Sequence, residues 1–282
     1  QPLHGLVEKL GWDDIFAGLR LLIATFIVLP LLPNRPLDPW QSINPYALWL
    51  LVILISGLSL VGYVATRWLG PGRGAAVTGV TGGLVSSTAV TLSFARRSRD
   101  FRGSHSVSAL ACGVLLAWTV MCARILVEIA VVHPRLLAVA WPPFIAMGGV
   151  GVVAAWLFFR SSGPPTRGDG AADDVPLRNP FSLREACRFA LLFAAVLLAV
   201  HLVERYAPAG GVYVVALLAG ITDVDAITLS LADKARQGGD PVVAVQAIFL
   251  AAAANTMVKT GLVAALGSVA LRTRVAIATV VM

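Results

Sequence analysis

Long apolar runs separated by short polar connections dominate the chain. Runs rich in Leu, Ala and Val at roughly 14–33, 45–68, 74–95, 106–132, 136–159, 183–206, 210–232 and 241–267 reach or approach the ~20 residues that cross a hydrocarbon core of ~30 Å. A further apolar stub begins at 269. The runs do not alternate between polar and apolar residues, as barrel strands would. Backbone polar groups cannot be satisfied by lipid, so helices are the remaining choice. The pattern predicts an all-α fold, a polytopic transmembrane helical bundle of about eight to nine spans.

Composition agrees. Of 282 residues, 57% are hydrophobic and 13% charged, about half the charged share of a soluble domain. Much of the surface therefore faces lipid. The formal net charge of +7 sits in the connections, where membrane topology places basic residues, so no nucleic-acid partner is expected. The loop after the third run holds Arg96, Arg97, Arg99 and Arg102, and the middle of the chain holds Arg160, Arg167, Arg178, Arg184 and Arg188. Lys234 and Arg236 follow the seventh run. If every run crosses once, these three groups share a side, expected to be cytoplasmic. Arg67, Arg73, Arg135, Arg272 and Arg274 then lie opposite, against the bias.

Cys112, Cys122 and Cys187 have no CxxC spacing and read as small buried hydrophobes. GPGRG at 70–74 reads as a turn, and no nucleotide loop, zinc motif or nucleophile elbow is present, so no enzyme is expected. Gln1 opens the chain without an initiator Met and an apolar run ends it, which suggests a piece of a longer protein truncated in its second half.

Residues 161–178, with SSGPPTRGDGAADD, read as a flexible linker between a first half at 1–160 and a second at 179–282. The halves are related. GGLVSSTAVTLSFARRSR (82–99) aligns without a gap to AGITDVDAITLSLADKAR (219–236), pairing Gly83 with Gly220, Thr91 with Thr228 and Ser93 with Ser230. Upstream, Asn44-Pro45-Tyr46 pairs with Asn179-Pro180-Phe181. Straight crossings make the repeat parallel; a glycine-led segment that re-enters makes it inverted.

The second copy carries Thr222, Asp223, Asp225 and Thr228 inside an apolar run. A carboxylate deep in a bilayer costs at least roughly 2.5–3.5 kcal/mol, so two close together require compensation. On an intact helix residues two apart diverge; a helix broken after Gly220 lets both carboxylates converge on a proton or a hard cation such as magnesium. Asp223 and Asp225 are thus the expected metal ligands. The first copy offers neutral oxygens from Ser86, Ser87, Thr88 and Thr91. Asn255 and Lys259 share a face of the next run and would tune or gate the site, while Arg124 and Glu128, four apart, would pair along one face. The plainer alternative makes Asp223 and Asp225 caps of a half-helix, and Ser86, Ser93 and Ser230 packing residues. His201 with Glu204 reads as an interfacial pair rather than a metal site, and Arg20 and Arg188 as snorkelling side chains.

LPLLPNRP at 29–36, NPYALWLLVILISGLSLVGYVA and GGLVSSTAVTLSFARR together resemble the C-terminal membrane domain, of unknown function, of long MgtC/SapB-family proteins. The resemblance implies a bacterial inner-membrane, multi-pass protein with an MgtC-like domain ahead of this chain. It associates the family with magnesium homeostasis, with better-studied relatives resembling regulators more than carriers. The leading expectation is a transporter or channel for a small ion, expected to be a cation, with its site formed by broken helices of the third and seventh runs. The alternative is a non-transporting regulator or scaffold that binds a partner protein through its spans. Expected partners are the lipid bilayer, the small ion and a second copy in a homo-oligomer; no cofactor is expected beyond a bound cation.

Overall fold

The computed structural model describes residues 12–37, 44–69, 74–99, 104–162, 183–206 and 210–282. Among these residues every regular element is helical: α1 (Trp12–Ile23), α2 (Leu29–Leu31), α3 (Pro45–Leu69), α4 (Gly74–Arg97), α5 (Ser104–Val132), α6 (Leu137–Ser161), α7 (Leu183–Tyr206), α8 (Gly211–Thr222), α9 (Val224–Arg236), α10 (Pro241–Leu266) and α11 (Val269–Val281). By length and composition, four are long and apolar enough to cross a membrane: Gly74–Arg97, Ser106–Val132, Pro134–Ser161 and Pro241–Leu266. The central linker lies almost wholly outside the described residues.

The chain divides into two compact units. One comprises Gln1–Leu60, Val127–Ala140 and Asn179–Asn255, the other Val61–Leu126, Trp141–Arg178 and Thr256–Met282. Helices α3, α5, α6 and α10 run through both.

In the first unit a π-turn over Ala24–Val28 joins α1 to α2. Its Ala24 carbonyl also accepts from Trp49 Nε1 at 3.0 Å, tying α1 to α3. Helix α3 starts as its Asn-Pro pair predicts: Asn44 Oδ1 accepts from the Tyr46 and Ala47 amides at 3.0 and 3.3 Å, and Pro45 fills the first helical position. The matching Asn179-Pro180 lies outside the described residues.

In the second unit the core gathers on α5, where Val114, Leu115, Ala117, Trp118 and Ile125 are all fully buried. Phe94 and Val90 of α4 pack there with Val263 of α10 and Leu271 and Val275 of α11. Cys112 and Cys122 are free, buried thiols, as expected.

Helix α4 does not run straight. The Ala75 carbonyl and the Phe94 ring both press on Gly113 of α5. In a straight helix about 28 Å would separate them, at 1.5 Å per residue. The reversal is at Ser86, whose backbone is extended (φ −163°, ψ 105°) inside the helix. Before it α4 climbs α5, with Gly79 against Gly113 and Gly83 against Ala117; after it Thr91 lies at Trp118 and Phe94 is back at Gly113. The segment is a helical hairpin.

A second hairpin forms from α8 and α9. Tyr213 Oη donates to Gln246 Oε1 at 2.7 Å, and further up Gly220 meets the backbone of Ala251, so α8 climbs α10 from its N-terminal end. The chain then breaks at Asp223, also extended (φ −158°, ψ 130°). Helix α9 must return downwards, because Arg236 joins Pro241 at the foot of α10 through residues 237–240 alone. That turn needs Gly238, at φ +105°, in the left-handed position that closes helix ends.

Candidate functional site

Small residues explain why the hairpins seat so closely. A Cβ on Gly79 would collide with the Gly113 backbone, and one on Gly83 would lie 2.8 Å from Ala117 Cα. A Cβ on Gly220 would lie 2.7 Å from Ala251 Cα. The spacing Gly79-x-x-x-Gly83 facing Gly113-x-x-x-Ala117 is the small-residue code of close membrane helix packing. The glycines that led the sequence match are therefore contact surfaces, and the breaks occur three residues beyond them.

At the second hairpin tip, Asp223 ends α8 and caps α9: its Oδ1 accepts from the Asp225 amide at 2.7 Å. The capping alternative weighed for Asp223 is thus realised, and it leaves the Asp225 carboxylate in the first turn of α9. Both Asp side chains are half-buried, and Thr222 is exposed. The last carbonyls of α8 need donors, and Asn255 Nδ2 serves that of Gly220 at 2.8 Å. Thr228, three residues beyond Asp225 and on the same face of α9, is fully buried, and its Oγ1 has no hydrogen-bond partner. Ser230, by contrast, donates to the Ala226 carbonyl at 2.7 Å, which fits its packing reading.

At the first hairpin tip, Ser86 Oγ accepts from the Ala89 amide at 3.2 Å, the same capping task as Asp223. Arg124 Nη1 donates to the Leu84 carbonyl at 3.0 Å, the counterpart of Asn255 on Gly220. Lys259, 1% exposed, donates to Ser87 Oγ and to Met121 Sδ, both at 2.9 Å. Thr91 donates to the Ser87 carbonyl at 2.7 Å and accepts from Trp118 Nε1 at 2.9 Å. Thr88 is exposed.

The residues singled out from sequence therefore fall into two local groups. Asp223, Asp225, Thr228 and Asn255 gather at one hairpin, while Ser86, Ser87, Thr91, Lys259 and Arg124 gather at the other. Glu128 is fully buried on α5. Among the described residues no three His, Cys, Asp or Glu side chains converge on one point. A hard cation at the acidic tip would thus rely on hydroxyl and carbonyl oxygens and retained water beside the carboxylates. His201 is half-buried; the Glu204 side chain lies outside what the structure describes. At the foot of the second hairpin, burial holds the Lys234 ammonium below the usual lysine range.

Sequence reasoning passed over Gly113, Ala117 and Ala251, the partners of the hairpin glycines, although the four-residue spacing of small residues was available. It also passed over Trp118 and Met121, which no sequence signal distinguishes from ordinary core residues.

A family model described as a domain of unknown function, DUF4010, matches residues 53–267. The chain belongs to the DUF4010 family. The match spans both hairpins and the helices that carry them. An uncharacterized protein of Aquifex aeolicus (strain VF5) is 31% identical to this DUF4010 chain over 198 residues, covering 68% of this chain and 82% of the relative. No solved structure matches it.

Proposed function

We propose that this DUF4010 chain is a membrane transporter of a small ion, with a cation or proton site at the tip of the second hairpin. The observation that carries the reading is the Thr228 hydroxyl, fully buried and unpartnered one turn from Asp225. Native proteins rarely leave such a group unsatisfied without an ion, a water or a function to account for it. Its repeat counterpart Thr91 makes two hydrogen bonds. A half-helix broken within an apolar segment, with freed backbone and a carboxylate at the break, is a recurring transporter arrangement.

The reading includes two hairpins, each of which returns to the side of the membrane it left. The breaks fall at matched positions of the repeat, Ser86 and Asp223, and each residue caps the helix that follows. The foot of the first hairpin is tied to the C-terminal end of α10: Arg99 Nη2 donates to the Ala265 carbonyl at 2.8 Å, and Ser98 Oγ accepts from the Ser268 amide at 2.7 Å. The basic residues support this topology. Once the hairpins re-enter, Arg67, Arg73, Arg272 and Arg274 join Arg96–Arg102 and the linker on one side, leaving Arg35, Arg135, Arg205, Lys234 and Arg236 opposite. The bias is modestly stronger than straight crossings give, and the richer side is cytoplasmic. The link to MgtC/SapB proteins, and through it to magnesium, rests on the motifs quoted above.

Two experiments test this reading. In a cysteine-free background, cysteines at Gly74 and Arg99 should react with an impermeant maleimide from one face of the membrane, and cysteines at Gly210 and Gln237 from the other. Labelling of Gly74 and Arg99 positions from opposite faces would overturn the re-entrant topology. Thr228→Val separates ligand from packing at the proposed site. Relieving an unsatisfied buried hydroxyl should raise the melting temperature, since such a group costs ~1–3 kcal/mol. If the hydroxyl coordinates the ion, apparent affinity in proteoliposome flux, scanned over magnesium, sodium, potassium and protons, should fall roughly ten-fold. Unchanged affinity would remove Thr228 from the site.

A further inference from the structure

The second unit carries no Asp or Glu among its described residues; the described acidic residues, Asp233 and Asp240 included, belong to the first. Against that background, two arginines of the second unit are drawn to one point. Helix α10 ends at Leu266. Its Ala265 carbonyl accepts from Arg99 Nη2 at 2.8 Å, and the Gly267 carbonyl just beyond accepts from Arg272 Nε at 2.9 Å. Those carbonyls are two residues apart, a span of at most about 7 Å. A third bond ties the same two segments, the Ser268 amide donating to Ser98 Oγ at 2.7 Å.

Capping the end of α10 accounts for part of this arrangement, because the last carbonyls of a helix attract cations. The helix end offers only about half a negative charge, against two full positive ones. Each guanidinium spends one of its five N–H donors on its carbonyl. Arg99 is exposed and Arg272 half-buried, so neither is sealed from an approaching anion. Arg96, also exposed, precedes Arg99 by three residues, while Arg97 and Arg274 make interactions of their own. The acids nearest in sequence, Asp100 and the linker's Asp169, Asp173 and Asp174, lie outside the described residues.

Depth is set by α10, one of the four helices long and apolar enough to cross a membrane. It ends between the two carbonyls, so the arginine pair stands where a span meets the headgroup layer. Helix α11 then turns back beside α10, with Thr279 Oγ1 2.9 Å from Thr260 Oγ1. It leaves Val269, Ile277 and Val280 exposed at 75%, 61% and 87%. We propose that Arg99 and Arg272 hold the phosphate of an anionic phospholipid, with an acyl chain along that outer face of α11 for about 16 Å. Planar guanidiniums with open donors suit phosphate oxygens, and basic clusters at the ends of membrane helices favour anionic headgroups. Zwitterionic lipid offers the same chains but brings a cation of its own to two arginines. A soluble phosphate compound shares the headgroup chemistry but has nothing to lay along α11. The site is independent of the ion reading, since none of its residues lies at a hairpin tip.

The test is native mass spectrometry of the full chain, released from nanodiscs containing equal phosphatidylglycerol and phosphatidylcholine. Wild type should retain phosphatidylglycerol preferentially. Arg99→Gln and Arg272→Gln should each lower that preference roughly five-fold, the factor one basic residue contributes near an anionic surface. Gln keeps an N–H donor for each α10 carbonyl, and melting temperatures check that the variants fold. Arg99→Lys/Arg272→Lys guards against a loss of folding: it keeps both charges and should retain part of the preference, because an ammonium lacks the planar fork. Arg135→Gln, in the first unit, should change nothing. Equal retention of the two lipids by wild type, as if Asp100 already neutralised the pair, would overturn the proposal. So would a preference that survives Arg99→Gln/Arg272→Gln, or one lowered equally by Arg135→Gln, which would reduce it to general surface charge. Displacement of phosphatidylglycerol by inorganic phosphate would assign the pair to a soluble phosphate compound instead.

Discussion

Asp225→Asn should abolish ion flux in proteoliposomes and leave the protein folded. Asp225 sits in the first turn of α9 just past the break, and its partner Asp223 has its Oδ1 committed to capping. Asp225, which does not cap the helix, is the carboxylate proposed to hold or exchange a cation. Removing one charge from a partly buried charge–ligand contact costs about 2–5 kcal/mol, which at 1.4 kcal/mol per decade is roughly thirty-fold or more in affinity. Stability should move the other way: a neutral amide spares the ~2.5–3.5 kcal/mol that insertion scales assign to an intramembrane Asp. A melting temperature equal to or above wild type, with flux at the empty-liposome level, is the expected pair of results. Asp223→Asn should behave differently, because Asn caps a helix nearly as well as Asp; it separates charge from capping at the break. Full flux in Asp225→Asn would exclude the acidic tip as the site. No flux for any ion from well-folded wild type would exclude transport and turn attention to a partner protein.

The second large effect is structural. Gly220→Val should strongly destabilise the protein, lowering its melting temperature in detergent and loosening the second hairpin. Overpacking usually costs ~1–3 kcal/mol. Here the obstruction is the backbone of Ala251, not the end of a flexible side chain, so the cost belongs at or above the top of that range. Pushing α8 away from α10 also breaks the Asn255 hydrogen bond to the Gly220 carbonyl and strands that buried acceptor. Gly261→Ala on α10 is the control, since a Cβ there meets nothing within 4 Å. It should leave the melting temperature unchanged within the ~0.5 kcal/mol of a neutral substitution. Equal effects from both variants would remove the close-approach role assigned to Gly220.

Much of this was legible in the linear chain. Apolar run length dictates helices, because lipid offers no partner to backbone N–H and C=O groups. The Asn44-Pro45 start acts locally and formed as expected. The repeat pointed to the segments after Gly83 and Gly220 through Thr and Ser letters shared in otherwise apolar runs, and the helices break within those segments, at Ser86 and Asp223.

Tertiary structure decided the rest. Run length cannot distinguish a helix that crosses from one that turns back, since both bury about twenty apolar residues. Only the meeting of Ala75 and Phe94 at Gly113 reveals the reversal of α4. Likewise, position along a chain says little about which buried acceptors the Lys259 ammonium reaches. Packing brought it to Ser87 and Met121. Thr91 and Thr228 are the same letter at matched positions; one is satisfied by Trp118 and the Ser87 carbonyl, the other is left without a partner. Pattern and composition act through solvation, which each residue feels locally, so sequence alone carries them. Reversals and polar partners depend on contacts between distant segments, which exist only once the helices have packed.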